Sequence, residues 1–595
     1  MTKTLRCETR LDPVTKNVGL MLKERCRLYG ARPAFRQRAA DGGWRELHWD
    51  ALYDKVARVG ASLLRLGFKN GCVASYSRNR EEMLVFELAA MSLGGVACPI
   101  FSEYPSSQLE YILEHSNAQI LAVSDEAHLR EALKTQAARR LKKIFVMDSF
   151  RLGRSELRPH RANSSPYGAR DWTVSTVRLF EELYGASDAS SSAGFRGRLR
   201  RTAADAACLL MYTSGTTGRP KGVVLSHRNI LSQRSAMSQL WDLGPRDRFL
   251  SYLPWHHSFG GIFELFGALH SGACLTLDDS YGREISRLIE NFREIRPTVY
   301  FSVPRIYQAL VEEARRSPRL EREIFHPGLR FVFTAAAPMP KPVSDYLVRR
   351  GIAVVEGWGL TETSPCVTVT RLRTKRTPGL VGFPIPGVEI KLASNGEILV
   401  RGPNVMLGYH KDPKRTSAVL DPAGWFHTGD FGTITRRGLM LKGRIDGMFK
   451  LTTGQMVISQ NVESALCSSP LIEYAVALGN GKDYVGAVVY PNFHNLEHFA
   501  SERGLRVSGG HLLSHPAIRR RLQDEVRRAA SAIPEKYARP KAFVVAREEP
   551  NFRNGEITPT LKVVRSKVVE NYAPMVRAIF KPGVQSRATR EVIRL

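Results

Sequence analysis

The chain has 595 residues, 43% of them hydrophobic, and 87 basic against 57 acidic side chains give a formal charge of +30. That is enough apolar material for a sizeable core and several domains, and the charge favours anionic partners: nucleotides, acidic membrane surfaces or nucleic acid. Eight cysteines stand apart with no C-x-x-C pair, which argues against a cysteine-built metal site and suits a reducing compartment. The longest apolar run, 88–101, is too short to span a bilayer and contains Pro99. No apolar signal core opens the chain and its last residues are not a peroxisomal address, so a cytoplasmic protein is expected, with basic surface to offer a membrane. The basic residues are spread along the chain without a nucleic-acid motif, so specific nucleic-acid binding is not expected.

Residues 1–150 alternate strand and helix signals. Leu52, Val56, Val59, Leu63 and Leu64 recur at helical spacing after the strand-like Arg45-Glu46-Leu47-His48-Trp49. Val73 to Tyr76 reads as a strand, and Glu81 to Leu93 as a helix ended by Gly94 and Gly95. Further strands are expected at 96–101 and 120–123, with a helix at 107–116 between them. This rhythm predicts an α/β fold with a mainly parallel sheet covered on both faces. Residues 151–205 break the rhythm. Rich in Arg, Ser, Ala and Gly, notably 186–201, they read as surface loops or an insertion.

Next comes a polar loop between two probable strands: Tyr212-Thr213-Ser214-Gly215-Thr216-Thr217-Gly218-Arg219-Pro220-Lys221-Gly222. Its glycines let backbone N–H groups approach an anion, its hydroxyls donate, and its lysine adds a point charge, which is chemistry for a polyphosphate. It is not the common G-x-x-x-x-G-K-[ST] loop, whose second glycine would fall on Pro220. The string resembles the signature loop of the adenylate-forming superfamily of acyl-CoA synthetases, luciferases and peptide-synthetase adenylation domains. The stretches 91–96 and 109–116 are similar to long-chain acyl-CoA synthetases.

Later motifs follow in the family's order. Pro254 and His257 match P-x-x-H, whose histidine borders the carboxylate being activated; His256 is the weaker candidate. Residues 260–269 would line an acyl pocket, with Phe259, Ile262, Phe263, Leu265 and Phe266 as candidates, although an amphipathic core helix gives the same pattern. A strand at 331–334 runs into Ala335, Ala336 and Ala337, small enough for a flat base to approach. Glu356-Gly357-Trp358-Gly359-Leu360-Thr361-Glu362-Thr363 resembles E-G-[YW]-G-x-T-E. An aromatic such as Trp358 can stack on adenine, Thr361 can donate to the α-phosphate, and Glu362, with Thr213, can ligate Mg²⁺. Residues 382–400 read as paired strands turning at Ser394-Asn395-Gly396. Asp430 suits the ribose hydroxyls, and Arg444 would help hold them.

What the resemblance implies is a large N-terminal domain over 1–445, built of doubly wound α/β subdomains plus a small β-rich one. A mobile α+β C-terminal domain over 446–595 would follow the hinge Asp446. In that domain the 452–454 loop would face CoA, and 516–532 reads as a charged helix. Lys562, in a string resembling T-P-T-x-K, would deliver the adenylation lysine; the tail after Pro574 reads as a solvated end. The implied activity is ATP- and Mg²⁺-dependent conversion of a fatty acid to acyl-AMP and pyrophosphate, then to acyl-CoA and AMP. Two other readings stand beside it: a ligase that loads a carrier protein, and an inactive nucleotide- or lipid-binding homologue.

Overall fold

The apolar run Cys208-Leu209-Leu210-Met211 is buried on both faces, as a strand in the middle of a covered sheet must be. In the computed structural model, which describes residues 4–149, 177–185, 188–213, 219–335, 339–372, 374, 376–505, 507, 509–551, 554–557, 563–581 and 591–595, this run is strand Ala207–Thr213. It joins a sheet whose neighbours on one side, Val96–Ile100, Cys72–Tyr76, Ala118–Val123, Lys143–Val146 and Val177–Leu179, all run parallel. On its other side Lys221–Ser226 returns antiparallel, Lys221 opposite Thr213, and Gly408–Tyr409 closes that edge. A second sheet contains the parallel set Pro33–Arg38, Cys274–Leu277, Arg248–Ser251, Val299–Ser302, Phe331–Thr334 and Ala353–Trp358. It continues through antiparallel strands that include Phe426–Thr435 and Gly438–Arg444.

The helix Glu81–Ser92 is apolar almost all round, and nearly every residue in it is buried, which is the pattern of a helix packed on all sides rather than on one. The helix Trp49–Arg65 packs beside it and has the expected single apolar face. After Arg444 the chain makes one 3-10 turn, Ile445–Gly447, and enters the smaller C-terminal domain. There Ile472–Leu478, Val485–Pro491, Pro540–Val545 and Val592–Arg594 form a separate sheet, packed against the helix Pro516–Ser531 and others. No helix among the described residues is long and apolar enough to cross a membrane.

Two expectations are corrected. Within 186–201, read as loop, Ala189–Arg201 is a helix capped by Asp188, whose side chain accepts from the Ser191 N–H. Phe195 and Leu199, one turn apart, are both buried. The Phe195 ring fills the space over Gly60, where a Cβ would lie 2.4 Å from it. Composition counts apolar residues but ignores their spacing, and two at i and i+4 are enough to dock a helix. The tail is also not simply solvated: Val592–Arg594 pairs antiparallel with Pro540–Val545, and Ile593 is buried.

Candidate active site

The two parallel sets of strands end near one another, and loops from both build the site. Asn79 lies just beyond Cys72–Tyr76. Its amide donates to Leu253 O (2.8 Å) and accepts from Trp255 N–H (2.9 Å), fixing the loop that presents Pro254, His256 and His257. The His257 ring Nδ1 faces the Phe259 N–H at 3.3 Å. His256 packs its ring on Phe101, 4.6 Å between centroids, and its Nε2 is buried with no hydrogen-bond partner among the described residues. Burial, with His257 beside it, pushes its pKa down to about 3, so it stays neutral.

Immediately after, Phe259–Glu264 is a π-helical segment continuing into helix Leu265–Ser271. It is buried throughout rather than amphipathic. Gly261 must lack a side chain, because a Cβ there would sit 2.0 Å from Trp255 O. Phe259 and Phe263 reach Phe333, at 5.7 and 4.5 Å between centroids. The expected acyl-pocket side chains are therefore packed in the core beside strand Phe331–Thr334.

A second group forms around Glu362. Tyr409 O–H donates to its Oε1 at 2.8 Å. Burial, with Glu362 beside it, raises the phenol pKa, which keeps this proton in place as a donor. The Lys221 ammonium lies over the same tyrosine ring, 5.4 Å from its centroid. Thr361 and Ser258 share a hydroxyl hydrogen bond of 3.0 Å, tying the histidine loop to the Trp358–Glu362 stretch. Gly359 allows that stretch to turn, since a Cβ would fall 1.7 Å from Pro365 O.

A third group surrounds Asp430. Asp430 and Arg444 are direct cross-strand neighbours. Arg444 Nη1 donates to Oδ1 at 2.8 Å, and Trp358 Nε1 donates to Oδ2 at 2.6 Å. The edge of Trp358 is thus turned to the carboxylate, while its face remains the element suited to stacking. A carboxylate has about four lone-pair positions, so it can accept from several donors at once. Two residues before Trp358 in the same strand, Glu356 takes a forked contact from Arg376 (3.1 and 2.9 Å) and accepts from Met339 N–H (3.3 Å), which anchors the chain at Met339. Gly357 lies over the Phe333 ring, where a Cβ would approach to 2.6 Å.

The structure thus brings together Thr213, Lys221, His257, Gly357, Trp358, Thr361, Glu362, Asp430 and Arg444. Ser214, Gly215, Thr216, Thr217, Gly218, Ala336, Ala337 and Lys562 lie outside the described residues, as does the side chain of Asp446. Asn79, Ser258, Glu356, Arg376 and Tyr409 escaped the sequence reading as positioning residues. Tyr409 carries no local signal, because only strand pairing to Lys221–Ser226 brings it to Glu362. Among the described residues no group of three or more His, Cys, Asp or Glu side chains is set to hold a metal. A single carboxylate fits Mg²⁺, which keeps waters and takes its other ligands from phosphates, and does not fit a cage-bound metal.

Residues 22–410 match the family model "AMP-binding enzyme", and 446–583 match "AMP-binding enzyme C-terminal domain". The chain is 27% identical to the peroxisomal long chain acyl-CoA synthetase 7 of Arabidopsis thaliana, over 91% of this chain and 83% of that protein. It is 26% identical to long-chain-fatty-acid–CoA ligase 1 of Homo sapiens, with the same coverage. Among solved structures it resembles the o-succinylbenzoate CoA synthetase of Bacillus subtilis in complex with its acyl-adenylate, at TM-score 0.69 and 21% identity, over 94% of this chain and 98% of that one.

Proposed function

Since the chain belongs to the AMP-binding enzyme family, we propose that it is an acid-thiol ligase that converts a long-chain fatty carboxylate to its CoA thioester by way of acyl-AMP. The observation that carries this is the Trp358–Asp430–Arg444 cluster beside the Lys221–Tyr409–Glu362 group. One is built to grip a nucleoside, the other lies at the base of the polyphosphate loop. The long-chain choice draws on the named relatives in Arabidopsis and human.

The chemical difficulty is that a carboxylate is a poor electrophile and is repelled by a triphosphate. Asp430 and Arg444 hold the ribose, and Trp358 offers its face to the base. Lys221, with the Ser214, Thr216 and Thr217 hydroxyls, takes the β- and γ-phosphates. His257 borders the acid, so that a carboxylate oxygen lies in line with the α-phosphorus. Attack forms the acyl–O–P bond and breaks the bond to pyrophosphate. Lys562 neutralises charge developing on the bridging and non-bridging oxygens. Glu362 and Thr213 would hold Mg²⁺, whose role is to offset phosphate charge. In the second step the C-terminal domain turns about Asp446, Lys562 withdraws and the 452–454 loop approaches. The CoA thiolate then adds to the acyl carbonyl, and AMP leaves with the electron pair of the broken C–O bond.

The test is pyrophosphate release with Mg-ATP and acids from acetate to palmitate, plus benzoate, with and without CoA. Release that peaks at long chains and yields acyl-CoA is the expected result. A peak at benzoate, or pyrophosphate without any thioester, would overturn the substrate class or the acceptor. Silence across the set would leave an inactive binding homologue.

A further inference from the structure

Among the described residues, one ion pair joins the two domains. Arg305, the second residue of helix Pro304–Arg316, donates from Nη1 to Glu473 Oε1 at 2.8 Å. The two ends differ in kind. The Arg305 side chain is 67% exposed, whereas Glu473, second in strand Ile472–Leu478, is only 14% exposed. Burial raises the Glu473 pKa, Arg305 opposes that rise, and Glu549 adds to it. The guanidinium is therefore the group that lets this carboxylate sit charged where it does.

The position of the pair is informative. Arg305 follows strand Val299–Ser302, and the turn between them is pinned to the strand before: Tyr252 O–H shares a hydrogen bond with Ser302 Oγ (2.7 Å) and accepts from Val303 N–H (3.3 Å). It therefore stands at the rim where the parallel strands of the large domain end, which is where the site is built. On the other side, Glu549 lies close enough to Glu473 and Tyr474 to act on both electrostatically. Glu549 leads toward the bridge that pairs Ile557 with Val563, where Val564 N–H also donates to Glu556 O (2.7 Å). In sequence, Lys562 immediately precedes Val563. Meanwhile Thr452, Thr453 and Gly454, the loop assigned to CoA, are exposed. The side of the C-terminal domain that meets the large one is thus the side of Glu549 and the chain that leads to the Ile557–Val563 bridge, with the CoA loop left in solvent.

We propose that Arg305 and Glu473 form a latch that holds the C-terminal domain in the arrangement that makes acyl-AMP, and that the latch opens before thioester formation. This rests on the two-step reading above. Both are positioning residues, since neither touches a reacting group. Rotation about the 445–447 turn would carry Glu473 away from Arg305, so the pair stabilises one arrangement and contributes nothing to the other.

The test uses the full chain as Arg305→Glu, Glu473→Arg and the double reversal, with Glu473→Gln as a control because Glu549 is nearby. Acyl-AMP formation is followed in single turnovers without CoA. Thioester formation is followed separately from preformed acyl-AMP. Each single change is expected to slow the first reaction by about two- to five-fold, the range for a partly exposed pair, and to leave the second unchanged or faster. The double reversal is expected to restore the first. Equal slowing of both reactions, or no recovery in the double reversal, overturns the latch. Small-angle X-ray scattering of the same four proteins reads domain docking without any substrate. Looser scattering in the singles that tightens again in the double reversal supports the latch even if no acid is activated, which would fault only the proposed chemistry. Scattering indifferent to charge pairing overturns the latch even in an active enzyme.

Discussion

Trp358→Phe isolates one hydrogen bond in the proposed nucleotide site. The change keeps an aromatic face for stacking and removes only the indole N–H that reaches Asp430 Oδ2 at 2.6 Å. Asp430 is 8% exposed, so water cannot readily replace that donor. A hydrogen bond to a buried charged group contributes about 1.5–3 kcal/mol, and each 1.4 kcal/mol is tenfold, so kcat/KM for ATP should fall by roughly 10- to 150-fold. Arg444→Met removes a second donor, but that side chain is 46% exposed. An ion pair so open to solvent is worth about 0–1 kcal/mol, so the tryptophan change should cost more although it removes no charge. The assay is steady-state pyrophosphate release against ATP concentration, run for Trp358→Phe, Asp430→Asn and both together. If the bond matters through Asp430, the double mutant is no worse than about the larger single loss. A Trp358→Phe enzyme within about twofold of the parent, or losses that multiply in full, would refute the argument.

Lys562→Ala should abolish pyrophosphate release from ATP and acid while sparing thioester formation from preformed acyl-AMP; loss of both would contradict a role confined to the first step. Glu87 is buried in helix Glu81–Ser92 and paired with Ser75 Oγ, and burial raises its pKa from 4.5 to about 7. The folded state therefore holds a proton that the unfolded chain has released, and stability falls as pH rises from about 4.5 to 7, by about 3 kcal/mol at neutral pH and above. Glu87→Gln should be more stable than the parent in urea at pH 8 and little different at pH 4.5; an equal gap at both would count against it. Phe195→Ala should destabilise the large domain by about 3–5 kcal/mol in urea unfolding, and a loss under about 1 kcal/mol would mean that the Ala189–Arg201 helix is not part of the core.

The order of the motifs along the chain named most of the candidate site. Gly-rich loop, P-x-x-H, E-G-W-G-L-T-E, Asp430 and Arg444 are each recognised from residues close in sequence, so a linear string carries them. Alternating apolar patterns likewise determined the parallel sheets, because a strand buried on both faces and an amphipathic helix each leave a periodic trace. Tertiary structure decided what depends on pairing. Tyr409 reaches Glu362 only through the edge strand beside Lys221–Ser226, and Asn79 reaches Leu253 and Trp255 across 174 and 176 positions. Trp358 and Asp430, 72 positions apart, meet although three strands lie between theirs in the sheet order. The helix Ala189–Arg201 and the strand Val592–Arg594 were misread because composition alone calls them polar, and a few apolar side chains acquire meaning only against the surface they cover. Local chemistry is written in consecutive residues; the partners that hold it in place are set by which strands and helices come to lie side by side.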